Sequence, residues 1–160
     1  MNILILEDAI DMANNYKKIL EEHLNYKCII VDNIIDFDYH LYERKNIEFD
    51  YFIVDLHLNL PPNISQKDLN EWLLEKGIEK KTFITGNISI IGLDYFISRV
   101  AKHETTKDKL DKFMLVSGYK DMIIKSIDKE ILNQINNFLG KNESDLLNKI
   151  ISIIESKLII

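Results

Sequence analysis

Apolar residues fall along this chain in short unbroken runs, and each run is followed by a longer stretch in which they recur at helical spacing. Residues 2–6, NILIL, form the first run and end in Glu7-Asp8. The stretch after it places Met12, Tyr16, Ile19, Leu20 and Leu24 on one face of a helix over 11–24. Residues 27–31 predict a second strand, and 34–45 a second helix with Phe37, Leu41 and Tyr42 inward. The run FDYFIVDLHL, from Phe49 to Leu58, is apolar through Tyr51, Phe52, Ile53 and Val54 and breaks off at Asp55. A continuous apolar run is the mark of a strand covered on both faces. Strand, helix, strand, helix, strand in this order predicts an α/β fold with a parallel sheet and right-handed crossovers. Ligands of open α/β sheets bind at the carboxyl ends of the strands, so Asp55 and the Glu7-Asp8 pair come to one rim.

The bulk numbers narrow the class. A chain of 160 residues with 46% hydrophobic content suits a single domain with a full core. Its net charge of −6 and the lack of a basic stripe argue against nucleic acid as the main partner. Lys80-Lys81 and the lysines from Lys107 to Lys112 are short groups broken by acids, as on solvated loops. With no long apolar segment and no basic leader, neither a membrane span nor a signal peptide is expected, and a cytoplasmic location is the expectation. Cys28 is the one cysteine, flanked by Ile29, Ile30 and Val31, which predicts a buried thiol and no internal disulfide.

Three carboxylates at one rim need compensation. Two like charges ~4 Å apart repel by about 4 kcal/mol at an effective dielectric near 20, so such a cluster holds either protons or a cation. Oxygen-only ligands with open positions suit Mg²⁺, which keeps several waters and takes carboxylates together with a phosphate.

NILILED, the helix after it and YFIVDLHL resemble the first half of a response-regulator receiver domain, the phosphoacceptor module of two-component signalling. The resemblance implies a flavodoxin-like doubly wound sheet of five parallel strands in the order 2-1-3-4-5, with helices on both faces. It also implies Mg²⁺ held directly by Asp8, through water by Glu7, by Asp55 and by the backbone carbonyl of His57. Asp55 would take a phosphoryl group from a histidine kinase or phosphotransfer protein. The module then acts by binding a downstream target protein, and a homodimer is a further option. On this resemblance the chain is a signalling protein and not an enzyme, catalysing only its own phosphorylation and dephosphorylation.

The family also has a Ser or Thr after its fourth strand and a Lys after its fifth, and two stretches compete for the first of these. Thr85, closing TFIT, stands near the usual separation from Asp55. Ser117, after the run Lys112–Val116, stands at about twice that separation but agrees with the C-terminal part of the chain. There Phe138-Leu139-Gly140-Lys141 resembles the fifth strand, with Lys141 as the lysine and Phe138 as the aromatic switch residue. Residues 144–158 form a last helix with Leu147, Ile150, Ile151, Ile154 and Leu158 on its main face, and Leu146 and Ile153 off it. Against this, Ile131, Ile135, Phe138 and Leu139 also fit a helix capped by Gly140. We take Ser117 with Lys141 first and keep Thr85 open.

With Ser117, the whole chain 1–160 is one receiver-like domain and residues 60–91 are an insertion within it. The third helix then runs over 92–103. The insertion would carry a helix over 66–76, started by Ser65 and Asp68 and stopped by Gly77, and a hairpin TFIT-GN-ISII. It could serve as a lid, as a docking surface or only as packing. Tyr119 and His57 fall two residues beyond Ser117 and Asp55, where they could screen the water that hydrolyses an acyl phosphate. Two other functions compete: a degenerate receiver that takes no phosphate and serves as an interaction module, and a Mg²⁺-dependent phosphotransfer enzyme. The latter is weakened because Asp55-Leu56-His57 lacks a second aspartate.

Overall fold

A computed structural model describes residues 1–81, 83–84, 88–135 and 137–158. Five strands, β1 (Asn2–Leu6), β2 (Lys27–Val31), β3 (Tyr51–Asp55), β6 (Phe113–Ser117) and β7 (Asn137–Gly140), form one sheet in the order β2-β1-β3-β6-β7. Every pairing in it is parallel. Two short strands, β4 (Phe83–Ile84) and β5 (Ile88–Ser89), pair antiparallel in a separate ladder. The hairpin expected from TFIT-GN-ISII is therefore present, and Thr85 and its turn lie outside the described residues.

Alternation along the strands sends side chains to two cores, as the pleat requires. Leu4, Leu6, Phe52, Val54, Phe113 and Leu115 face one of them, under α2 (Ile34–Tyr42), α3 (Gln66–Glu75), α4 (Ile91–Tyr95) and α5 (Lys120–Ser126). Ile3, Ile5, Ile53, Met114 and Val116 face the other, under α1 (Ile10–Leu24) and α7 (Leu146–Leu158). Because both faces are covered, the strands read as unbroken apolar runs.

Boundaries shift in several places. The second helix stops at Tyr42 instead of running to residue 45, and the third strand includes Asp55. The third helix is α4, which continues as a π-helical turn over Phe96–Val100. An additional helix, α6 (Lys129–Gln134), precedes β7, so the apolar spacing from Ile131 to Leu139 divides between a helix and a strand. In α7 the deeply buried line is Leu146, Ile150 and Ile154, with Leu147, Ile151 and Ile153 packed beside it and half-buried. Leu146 thus belongs to the core, because the helix axis is set by its contact with α1 as well as with the sheet. The Cys28 thiol is buried, and that burial pushes it up to about 12.

The α3 helix starts as its sequence demands, with the Ser65 hydroxyl accepting the Asp68 N–H at 3.1 Å. It ends at Gly77, whose φ of +72° is the left-handed conformation that favours glycine. Leu69 and Leu73 enter the first core, so this segment packs on the domain. A buried ion pair ties α2 to the π-helical turn. The Asp38 carboxylate, 2% exposed, accepts from Tyr95 Oη at 2.8 Å, from Arg99 Nη2 at 3.1 Å and from Arg99 Nε.

Candidate functional site

Parallel pairing carries four strand ends to one rim. The ladder runs one residue past β1, where Glu7 N donates to Val31 O at 3.1 Å, and past β3, where Leu56 N donates to Val116 O at 3.1 Å. Lys141 N donates to Ser117 O at 3.0 Å. Glu7, Asp8, Asp55, Ser117 and Lys141 are therefore fixed by backbone bonds or directly adjoin residues that are.

The side chains converge. Lys141 Nζ lies 2.9 Å from Asp55 Oδ2 and 3.0 Å from Glu7 Oε2. One carboxylate oxygen from each of Glu7, Asp8 and Asp55 lies within 4.8 Å of the others. Asp55 is 1% exposed, and its Oδ1 has no hydrogen-bond partner among the described residues. Burial, and then the Glu7 carboxylate, push Asp55 up to about 8 against the opposing pull of Lys141. Burial pulls the Lys141 ammonium down, but Asp55 and Glu7 outweigh it and hold it above its ordinary value. The pocket is thus short of positive charge. A hard, oxygen-preferring cation fits this donor set, because it would neutralise the acids and occupy the unpartnered oxygen.

Ser117 is fully buried, and its hydroxyl accepts the Tyr119 N–H at 3.0 Å. The Tyr119 and His57 rings meet edge to face, with centroids 5.3 Å apart. The two positions that spacing marked as candidate screens are thus in contact with each other. Phe138 is buried in the first core, paired in register with Leu115.

Three residues escaped the sequence reading. Asn59 donates to Asp8 Oδ2 through its backbone N–H and its Nδ2, both at 2.8 Å. Gly92 N donates to Leu56 O at 2.9 Å, and a Cβ on Gly92 would stand 2.6 Å from that oxygen and 2.9 Å from Asp55 O. A glycine opening a helix just after an apolar run was the signal available for it. Tyr16 is 1% exposed, and its hydroxyl has no hydrogen-bond partner among the described residues. Burial first, then Glu7 and Asp55, raise its ionisation above the ordinary tyrosine value. Its helical spacing placed it in the core but did not reveal that its hydroxyl shares the field of the acids.

No protein-family model matches the sequence, and no curated protein matches it. Solved structures do. A sensor protein from Polaromonas sp. JS666 is similar with a TM-score of 0.61 at 18% identity, over 97% of this chain and 93% of that one. The bacteriophytochrome response regulator AtBRR gives 0.60 at 12%, over 99% and 93%. The Francisella response regulator 1452 receiver domain gives 0.52 at 11%, over 98% of each. At such identities the likeness is one of fold. The chain has the flavodoxin-like fold of response-regulator receiver domains: a five-stranded parallel sheet in the order 2-1-3-4-5 with helices on both faces.

Proposed function

We propose that this protein accepts a phosphoryl group on Asp55 from a histidine kinase or phosphotransfer protein and signals by binding a target protein. The observation that carries this reading is the Lys141 ammonium on the Asp55 carboxylate at 2.9 Å, with Glu7 and Asp8 gathered at the same strand ends. A fixed cation beside a carboxylate with one free oxygen is what in-line phosphoryl transfer asks of a protein, since positioning and neutralisation do most of the work.

Asp8, Asp55, Glu7 through water and the His57 carbonyl would hold Mg²⁺. When bound, it would supply positive charge to the phosphoryl oxygens. An Asp55 oxygen attacks phosphorus while the bond to the donor's imidazole nitrogen breaks, and Lys141 stays beside the growing charge. The product adds up to about two negative charges and three acceptor oxygens at the rim. Ser117 has one proton to donate and lone pairs to spare, so it can bond a phosphoryl oxygen while still accepting from Tyr119 N–H.

Such a bond contributes about 1.5–3 kcal/mol. Moving a two-state element from 1:99 to 99:1 needs about 5.5 kcal/mol. The new bond at Ser117 therefore biases the surface, and a target that prefers the altered form supplies the remainder. We take residues 1–160 as one receiver-like domain, with 60–91 inserted next to the rim. Radiolabelled acetyl phosphate tests the reading. The label should enter in Mg²⁺, be prevented by EDTA, survive denaturation and be released by hydroxylamine, as an acyl phosphate is. Label that resists hydroxylamine, or enters equally in EDTA, would overturn it.

A further inference from the structure

Asn59 lies in the loop that leaves the Asp55 strand, and its side chain is exposed. Two of its donors, backbone N–H and Nδ2, meet on a single acceptor, Oδ2 of Asp8, at 2.8 Å each. Among the described residues these are the hydrogen bonds that Asp8 makes. The other two acids are fixed differently. Glu7 and Asp55 are buried and share the Lys141 ammonium, whereas Asp8 is half-buried and does not touch it. Asn59 is thus what orders the least constrained carboxylate of the cluster.

We propose that Asn59 is the positioning residue for Asp8, fixing the orientation of its carboxylate and so raising the affinity of the pocket for a divalent cation. The inference rests on the phosphoacceptor reading above and adds to it a residue that touches neither phosphoryl group nor cation. Two donors on Oδ2 leave the lone pairs of Oδ1 for the ion. Bonds to an ionised carboxylate are strong, and these need not break when the cation arrives. A carboxylate already ordered loses less rotamer freedom at the moment of binding. Had the bonds to break first, Asn59 would compete with the ion, and its removal would tighten binding.

Calorimetric titration of the whole chain with MgCl₂, for wild type, Asn59→Ala and Asp8→Asn, tests this, with thermal unfolding of each in EDTA alongside. Asn59→Ala keeps the backbone N–H on Asp8 Oδ2 and loses the Nδ2 donor. The expected result is a Mg²⁺ dissociation constant about threefold to tenfold weaker, the loss set by the side-chain bond that orders the carboxylate. The unfolding temperature in EDTA should stay at the wild-type value, since the residue is exposed. A purely structural contact would do the reverse, lowering that temperature and leaving the constant unchanged. An unchanged or tighter constant in Asn59→Ala, with wild type binding and Asp8→Asn impaired, overturns this inference alone. Failure of wild type to bind, or normal binding by Asp8→Asn, overturns the metal reading and this inference with it.

Discussion

Asp55 is placed where a proton or a cation must compensate its charge: it is buried against another carboxylate, and one of its oxygens has no hydrogen-bond partner among the described residues. Burial and the Glu7 carboxylate push its carboxyl up from 3.8 to about 8, so the native state holds a proton that the unfolded chain releases sooner. Stability from this group is complete below pH 3.8 and drains away as the pH rises to about 8. In EDTA, Asp55→Asn should therefore be more stable than wild type at pH 8, by on the order of 1 kcal/mol or ~3 °C for a chain of this size. The gap should open between pH 4 and pH 8, and Mg²⁺ should narrow it by favouring the ionised carboxylate. Thermal unfolding across that pH range checks this, and a gap that closes with rising pH would count against it. The Tyr119–His57 edge contact makes a separate claim at the same scale. If these rings screen an acyl phosphate on Asp55, the phosphorylated Tyr119→Ala variant should decay several-fold faster, as read by loss of the mass adduct with time. An unchanged lifetime would show that the rings do not screen the bond.

At the scale of elements, the third-strand end and α4 are in backbone contact. Gly92 sits so close to Leu56 O and Asp55 O that any side chain there must push the end of the Asp55 strand aside. Gly92→Ala should destabilise the fold by about 1–3 kcal/mol, the usual cost of overpacking a tight site, and slow phosphoryl uptake as Asp55 is displaced. Denaturant unfolding and uptake rates read the two effects. Legibility in the sequence also varies from element to element. Strands covered on both faces write themselves as unbroken apolar runs, so β1, β2 and β3 could be placed from NILIL, KCIIV and YFIV. Helix ends were harder, because α2 stops at Tyr42, where Glu43 and Arg44 both donate to the Tyr39 carbonyl, and no glycine or proline marks the place. The Asn59 bond to Asp8 joins residues 51 positions apart and leaves no periodic trace. Whether the run before Ser117 or the run before Thr85 joins the parallel sheet was open in the sequence. Local sequence could not decide it, because both runs are β-prone. Pairing of Phe113–Ser117 with the Asp55 strand puts Ser117 at the rim, while among the described residues Phe83–Ile84 pairs with Ile88–Ser89 in a separate ladder.

For the whole molecule, the sheet order puts the Asp55 strand at the centre, with the Glu7 strand on one side and the Ser117 strand on the other. Lys141 arrives from the next strand out and reaches back across Ser117 to the acids. No local segment holds this arrangement, which exists only when all the crossovers have formed. Both faces of the sheet are packed, and among the described residues no helix is long and apolar enough to cross a membrane. The segment over 60–91 packs on the first core through Leu69, Leu73 and Ile78, with Trp72 against Tyr95. It is flanked by Asn59, which bonds Asp8, and by Gly92, whose N–H bonds Leu56 O. The proposed signalling role depends on Asp55 taking a phosphoryl group. Intact-mass measurement after incubation with acetyl phosphate and Mg²⁺, for wild type and Asp55→Asn side by side, reads that event. A single phosphoryl adduct on wild type and none on Asp55→Asn is the expected result. An adduct on both would place the chemistry elsewhere, and none on folded wild type would leave a receiver fold that works only as an interaction module.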